Sequence, residues 1–228
     1  MNFHTPRRLR ARKSFAVTHS EHPRFNPPDA SSFRLLSDAE RQASMNRTLG
    51  QWNTGDDLWV FGYGSLVWRP EFEFSEQRLA LLHGYHRALC LWSRVNRGTP
   101  ERPGLVFGLD AGGSCRGMAF RIRTTDVRHT MEALWRREMP TGAYIPKWLP
   151  CRTRQGRIQT LTFVMNRDTD AYVRGLSRAQ VVDIVRRARG RYGPCIEYVL
   201  ETAHALSLTG IVDKQLELIA RELRGDEE

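Results

Sequence analysis

The chain has 228 residues, 40% of them hydrophobic and 26% charged, with a formal net charge of +10. Such proportions suit one folded core and do not require a second. They exclude a membrane-spanning helix, because no apolar run approaches the roughly 20 residues a bilayer demands.

Half of the excess charge, +5, lies in residues 1–24, where Arg7, Arg8, Arg10, Arg12, Lys13 and Arg24 stand against Glu21 alone. A block of like charge is ordinarily a solvated arm. Contact with nucleic acid or another anionic surface through PRRLRARK is the alternative, and nucleic-acid binding is not expected to dominate. The arm lacks the apolar stretch that directs export, so a cytoplasmic location is expected. Residues 1–55 read as this arm followed by a short helix over 37–49, for which Ser37 is a suitable N-cap.

Residues 56–228 read as the folded domain. Strands are expected over 58–63, 79–92, 116–122, 145–153 and 157–165, from β-branched and aromatic runs between turn residues. Gly112 and Gly113 mark a tight hairpin before the third strand. Helices are expected over 124–139, capped by Thr124 or Thr125, over 177–190 from a Ser N-cap, and over 195–210 and 212–224. Strands first and helices later argue for an α+β fold and against repeated βαβ units.

Cys90, Cys115, Cys151 and Cys195 are scattered, with no CxxC pair, which argues against a disulfide framework and a structural zinc site. His83 and His86, three apart on a strand, point to opposite faces and make poor shared ligands. No metal site is expected, and the thiols suit a reducing compartment.

The chemistry concentrates in LWVFGYGSL, residues 58–66. The stretch contains G-x-G, but Val67 stands where a dinucleotide fingerprint needs its third glycine, and no carboxylate follows about 20 residues later. GK[ST] is absent as well. Two readings remain: backbone amides converging on an anion such as a carboxylate, with Ser65 adding a hydroxyl, or a bulge or barrel corner.

The helix over 124–139 adds a second clue. Val127, Met131, Leu134 and Trp135 form one apolar stripe, and the same spacing continues to Glu138, with Arg136 and Arg137 expected to point away. A carboxylate on a buried face costs free energy unless it is paired or has chemical work to do. A last-turn position open to solvent, or a structural ion pair, would explain it. So would a general base whose pKa burial raises.

Taken together, WVFGYGSLVWRP (59–70), GYHRALCLWS (84–93), RGTPERPGLV (97–106), LWRREM with GAY (134–144) and GPCIEYV (193–199) resemble the ChaC-type γ-glutamylcyclotransferases, across roughly residues 56–210. The resemblance implies a γ-glutamylcyclotransferase-like fold, a small mixed β-barrel with packed helices. It implies cofactor-free cleavage of glutathione to 5-oxoproline and Cys-Gly, the γ-glutamyl α-amine attacking its own side-chain carbonyl. Glu138 matches the family's catalytic glutamate. Phe61, Gly62, Tyr63, Gly64, Ser65 and Leu66 match the loop that binds the γ-glutamyl group, and Tyr172 falls where relatives place a tyrosine near the substrate. Tyr144 and Tyr198 can line the pocket or belong to the core. The arginine-rich loop 93–104 is expected to cover the site, with Arg94 or Arg97 meeting the glycine carboxylate. Cyclotransfer on other γ-glutamyl amines or dipeptides, and a non-catalytic binding module using the basic arm, are the alternatives.

Overall fold

A computed structural model of the protein describes residues 34–225. The basic arm of residues 1–24 lies outside the described residues. Within them, the period-two alternation of LWVFG forms β1 (Leu58–Gly62). Leu58 and Val60 face a helix-covered core, while Phe61 faces the second core. β2 (Glu76–Ser93), β3 (Gly104–Ile122), β4 (Tyr144–Thr153) and β5 (Gly156–Met165) complete a closed barrel of order β1-β3-β2-β4-β5. β5 meets β1 in parallel at Val60↔Leu161, and the other pairings are antiparallel. The α+β mixed barrel is the expected architecture.

The third strand differs from expectation. It begins at Gly104, not at 116, and pairs with β2 over nearly its whole length. Gly112 and Gly113 are therefore not a hairpin turn. They sit inside β3 opposite Gly84, where the register shifts between His83 and Tyr85, and all three have positive φ. Left-handed glycines serve a bulge as readily as a turn, so composition alone does not separate them. The true turn is the segment 94–103.

Glycine is required for a different reason at Gly117 of β3. A Cβ there would lie 2.3 Å from the Gly62 carbonyl oxygen and 2.7 Å from the Phe61 ring. Gly117→Ala is expected to push β1 off β3 and lower stability by about 1–3 kcal/mol or more, read from a denaturant melt. An unchanged midpoint would show that the barrel yields there.

The helix α2 (Val127–Glu138) lies on the outside of β1 and β5. Its stripe of Val127, Met131, Leu134 and Trp135 is at most 2% exposed, and burying each such side chain stabilises by about 1.5–3 kcal/mol. Trp135 meets Phe163 edge-on at 5.3 Å. Neither threonine caps α2 with its own side chain; instead Thr124 donates its amide to Asp57 at 2.9 Å, at the start of a single 3-10 turn. The short helix α1 (Asp38–Leu49) carries the expected Ser37 capping box and packs on α2. The Trp135 indole donates to Ser44 Oγ and the Trp148 indole to the Thr48 carbonyl.

The opposite side of the barrel is covered by α3 (Arg178–Arg187), α4 (Cys195–Leu208) and α5 (Lys214–Arg224). The helix expected over 177–190 stops at Arg187 because Ala188 is extended. Two two-residue strands follow, β6 (Arg189–Gly190) and β7 (Gly193–Pro194). They hold the turn between β2 and β3: Arg191 donates its amide to Val95 O at 2.8 Å and Tyr192 its own to Asn96 O at 3.0 Å. Contact there is tight, since a Cβ on Gly190 would lie 2.4 Å from the Gly98 nitrogen.

Candidate active site

A cavity of about 480 Å³ opens where β1 ends, between the last turn of α2 and the 94–103 segment. Its volume suits a tripeptide-sized ligand. Ser65, Arg137, Glu138, Tyr144 and Tyr198 line it, together with Trp92 to Arg97 from the roof.

The strand becomes a turn here because Gly62 permits close approach; a Cβ would lie 2.9 Å from Leu66 Cβ. The 3-10 turn Ser65–Val67 follows at once. Val67 returns its amide to Gly64 O at 3.0 Å, whereas the amides of Ser65 and Leu66 precede any acceptor such a turn can offer. The side chains of Phe61 and Leu66 are buried in the two cores, and of the expected substrate loop Phe61, Gly62, Tyr63, Gly64, Ser65 and Leu66 the cavity lining includes Ser65 alone. The Tyr63 hydroxyl donates to Phe163 O at 3.0 Å, and its carbonyl accepts from Arg87 Nε.

Glu138 is the final residue of α2, and its side chain is 15% exposed. Burial pushes its carboxyl above the usual value, the adjacent Arg137 guanidinium pulls the other way, and Glu71 adds a smaller upward push. The negative end of the α2 dipole also disfavours a second negative charge there. Such a group holds a proton more readily than a surface glutamate and can return it, as a base working near neutrality must. The expectation that Arg137 points away from Glu138 is corrected. Its Nε lies 3.1 Å from Glu138 Oε1, because bonds to Ser65 Oγ, the Arg69 carbonyl and Glu71 hold the guanidinium on the cavity side instead of in solvent.

Three buried tyrosines, Tyr63, Tyr144 and Tyr198, lie within the electrostatic reach of the carboxylate. Tyr144 donates to the Phe107 carbonyl at 2.9 Å, and Tyr198 accepts from the Phe107 amide at 3.1 Å. Burial, with the Glu138 charge as a further cause, raises the phenols of Tyr63, Tyr144 and Tyr198 well above the usual range. They are therefore neutral at physiological pH and not bases; Tyr144 and Tyr198 line the cavity, whereas Tyr63 stays behind it on the Phe163 carbonyl. Sequence reasoning left Tyr144 and Tyr198 between pocket and core; they serve both. Arg137 was missed, and nothing in RREM distinguishes it from a solvated arginine.

The roof brings Arg94 and Arg97 to the cavity. Arg94 is only 4% exposed. Arg97 Nη1 donates to Pro194 O at 3.1 Å and its guanidinium lies 5.5 Å from the Tyr198 ring centre. Tyr172 is placed differently from the other candidates. It does not line the cavity; its hydroxyl donates to Asp110 at 2.9 Å and its ring lies beneath Arg167.

A family model described as ChaC-like protein matches residues 58–225. The chain belongs to the ChaC-like family. One curated relative, the glutathione-specific γ-glutamylcyclotransferase of Escherichia coli strain K12, is 35% identical over 80% of this chain and 79% of its own length. The mouse glutathione-specific γ-glutamylcyclotransferase 1 is 32% identical over 74% of this chain and 79% of its own. A crystal structure of a yeast γ-glutamylcyclotransferase specific to glutathione superposes with a TM-score of 0.69 at 19% identity, covering 75% of this chain and 97% of that one; this likeness concerns the fold. The residues matched by the family model start with β1, so α1 precedes the part that the model covers.

Proposed function

We propose that the protein is a glutathione-specific γ-glutamylcyclotransferase, releasing 5-oxoproline and Cys-Gly, with Glu138 as its general base. The observation that carries this reading is a single sheltered carboxylate lining the same cavity as Ser65 of the GYGSL turn, in a chain whose curated relatives bear that name. Glu71 is the only other carboxylate in the lining, and its side chain is 45% exposed.

In this reading the opening amides of the Ser65 turn hold the α-carboxylate of the γ-glutamyl group. Ser65 Oγ already accepts from Arg137 Nη2 at 2.9 Å, which leaves its own proton free to donate to the substrate. Glu138 takes a proton from the α-ammonium. The freed amine attacks the γ-carbonyl, forming the ring C–N bond. As the bond to the cysteine nitrogen breaks, the proton on Glu138 passes to that nitrogen. The second proton of the attacking nitrogen follows by way of the regenerated carboxylate, leaving the neutral lactam of 5-oxoproline and Cys-Gly as its ammonium. Ring closure is intramolecular, so holding the γ-glutamyl arm folded supplies much of the rate; effective molarities for oriented closures reach about 10⁵ M or more.

Arg69, Arg94, Arg97, Arg136 and Arg137 all line the cavity. This positive surround suits a substrate carrying two carboxylates and one ammonium. Arg97 is the residue we assign to the glycine carboxylate. Four free, buried cysteines suit a reducing compartment, and we place the protein in the cytoplasm.

The test is mass-spectrometric detection of 5-oxoproline and Cys-Gly after incubating purified protein with glutathione alone, beside γ-glutamyl-alanine at equal concentration. Release from glutathione at a higher kcat/KM is expected. Preference for γ-glutamyl-alanine would favour a broader γ-glutamyl specificity, and no release from either would reject the activity.

A further inference from the structure

Arg137 contacts more than its neighbour. Besides Glu138, its guanidinium reaches Ser65 Oγ at 2.9 Å, the Arg69 carbonyl at 2.7 Å, the Pro70 carbonyl at 3.3 Å and Glu71 Oε2 at 3.0 Å. One side chain thereby ties the end of α2 to the segment 65–71 that follows the GYGSL turn. Glu71 is itself unusual. It is the one non-glycine residue with positive φ among the described residues, at 59°. Holding a glutamate in the left-handed region costs of order 1 kcal/mol or more, and it brings the Glu71 carboxylate onto Arg137, with Arg69 on its other side at 2.5 Å.

An arginine devoted wholly to Glu138 would hold that carboxylate ionised and weaken it as a base. Here the guanidinium is shared among two carboxylates, two carbonyls and a hydroxyl, and reaches Glu138 through Nε. We propose that Arg137 is a positioning residue for the cyclisation: it fixes the substrate-binding turn to the base, while Glu71 draws part of its charge away from Glu138. The proposal rests on the reading of Glu138 as the base.

The groups facing Glu138 fix the expected signs. Arg137 on α2 and Glu71 on the loop are its charged neighbours, Tyr63, Tyr144 and Tyr198 around it are neutral, and Arg69, Arg94, Arg97 and Arg136 line the same cavity. Removing the Arg137 charge leaves burial unopposed and makes Glu138 harder to ionise. Removing the Glu71 charge does the reverse and frees Arg137 to pair more closely with Glu138.

The experiment is the pH dependence of kcat/KM for glutathione in the parent, Arg137→Met, Arg137→Lys, Glu71→Gln and Glu138→Gln proteins, each with a thermal melt. Arg137→Met should move the acid limb to higher pH, lowering kcat/KM roughly three- to tenfold on that limb, and should raise KM. Glu71→Gln should move the limb to lower pH. Arg137→Lys should restore the limb but not KM, because an ammonium cannot span the same acceptors. Limbs that move together, or stay fixed, overturn the proposal. If Arg137→Met does not fold, Glu71→Gln in the exposed loop still decides, and an unmoved or raised limb overturns it. A parent enzyme whose acid limb survives in an active Glu138→Gln variant would instead remove Glu138 as the base, a failure of the earlier reading that this series reports separately.

Discussion

Glu138→Gln is expected to fold normally and to lose turnover of glutathione by about 10²–10⁴-fold, the usual contribution of a positioned general base. The amide keeps the shape and the contact to Arg137 but cannot take a proton from the substrate's ammonium. A gain in stability should accompany the loss. The Glu138 carboxyl binds its proton more tightly in the folded chain than in the unfolded one, because folding buries it. Its contribution to stability is therefore fully present below the ordinary value of 4.5 and is lost as pH rises through the elevated folded-state value. At neutral pH the ionised group weakens the fold, and glutamine removes that weakness. Thermal melts should show Glu138→Gln melting above the parent at pH 7 and level with it near pH 4. Full turnover in a folded variant would exclude Glu138 from the mechanism; a lower melting point at pH 7 would show that its ion pair with Arg137 outweighs its burial.

The largest stability effect is expected at Arg87, which lies far from Glu138 in sequence but serves the same turn. Its side chain is 2% exposed, and it donates to the Tyr63 carbonyl, to Arg116 O at 2.6 Å and to the Asp213 carboxylate. Asp213 in turn caps α5 by accepting from the Leu216 amide at 3.1 Å. Arg87→Met leaves three acceptors without their donor. Breaking a buried pair in this way costs about 3–5 kcal/mol, and the lower end applies because the Asp213 side chain is 22% exposed. At roughly 2–4 °C per kcal/mol for a domain of this size, the midpoint should fall by about 6–12 °C. Asp213→Asn should cost less, since asparagine still caps a helix. If Arg87→Met and Asp213→Asn lose the same small amount in a double-mutant cycle, Arg87 is not the link described.

Much of the fold was legible because local chemistry and tertiary packing agree. The stripe from Val127 to Trp135 became the buried face of α2, and Ser37 and Ser177 became N-caps. Disagreement arose where one residue type serves two geometries. Gly112 and Gly113 carry the same positive φ in a bulge as in a turn, and only the partner strand, remote in sequence, decides between them. Position 138 was readable because a carboxylate interrupts an apolar period. Arg137 was not, since its partners at 65 and 69–71 are brought to it by the barrel and leave no periodic trace. Tyr172 shows the converse: family likeness nominated it, but Asp110 on β3 holds its hydroxyl outside the cavity lining.

The segment between β2 and β3 is laced to residues 189–194 by main-chain bonds, with Gly98 and Gly190 too close to admit even a methyl group. Such bracing shapes the cleft before a ligand arrives, so little chain ordering should oppose association.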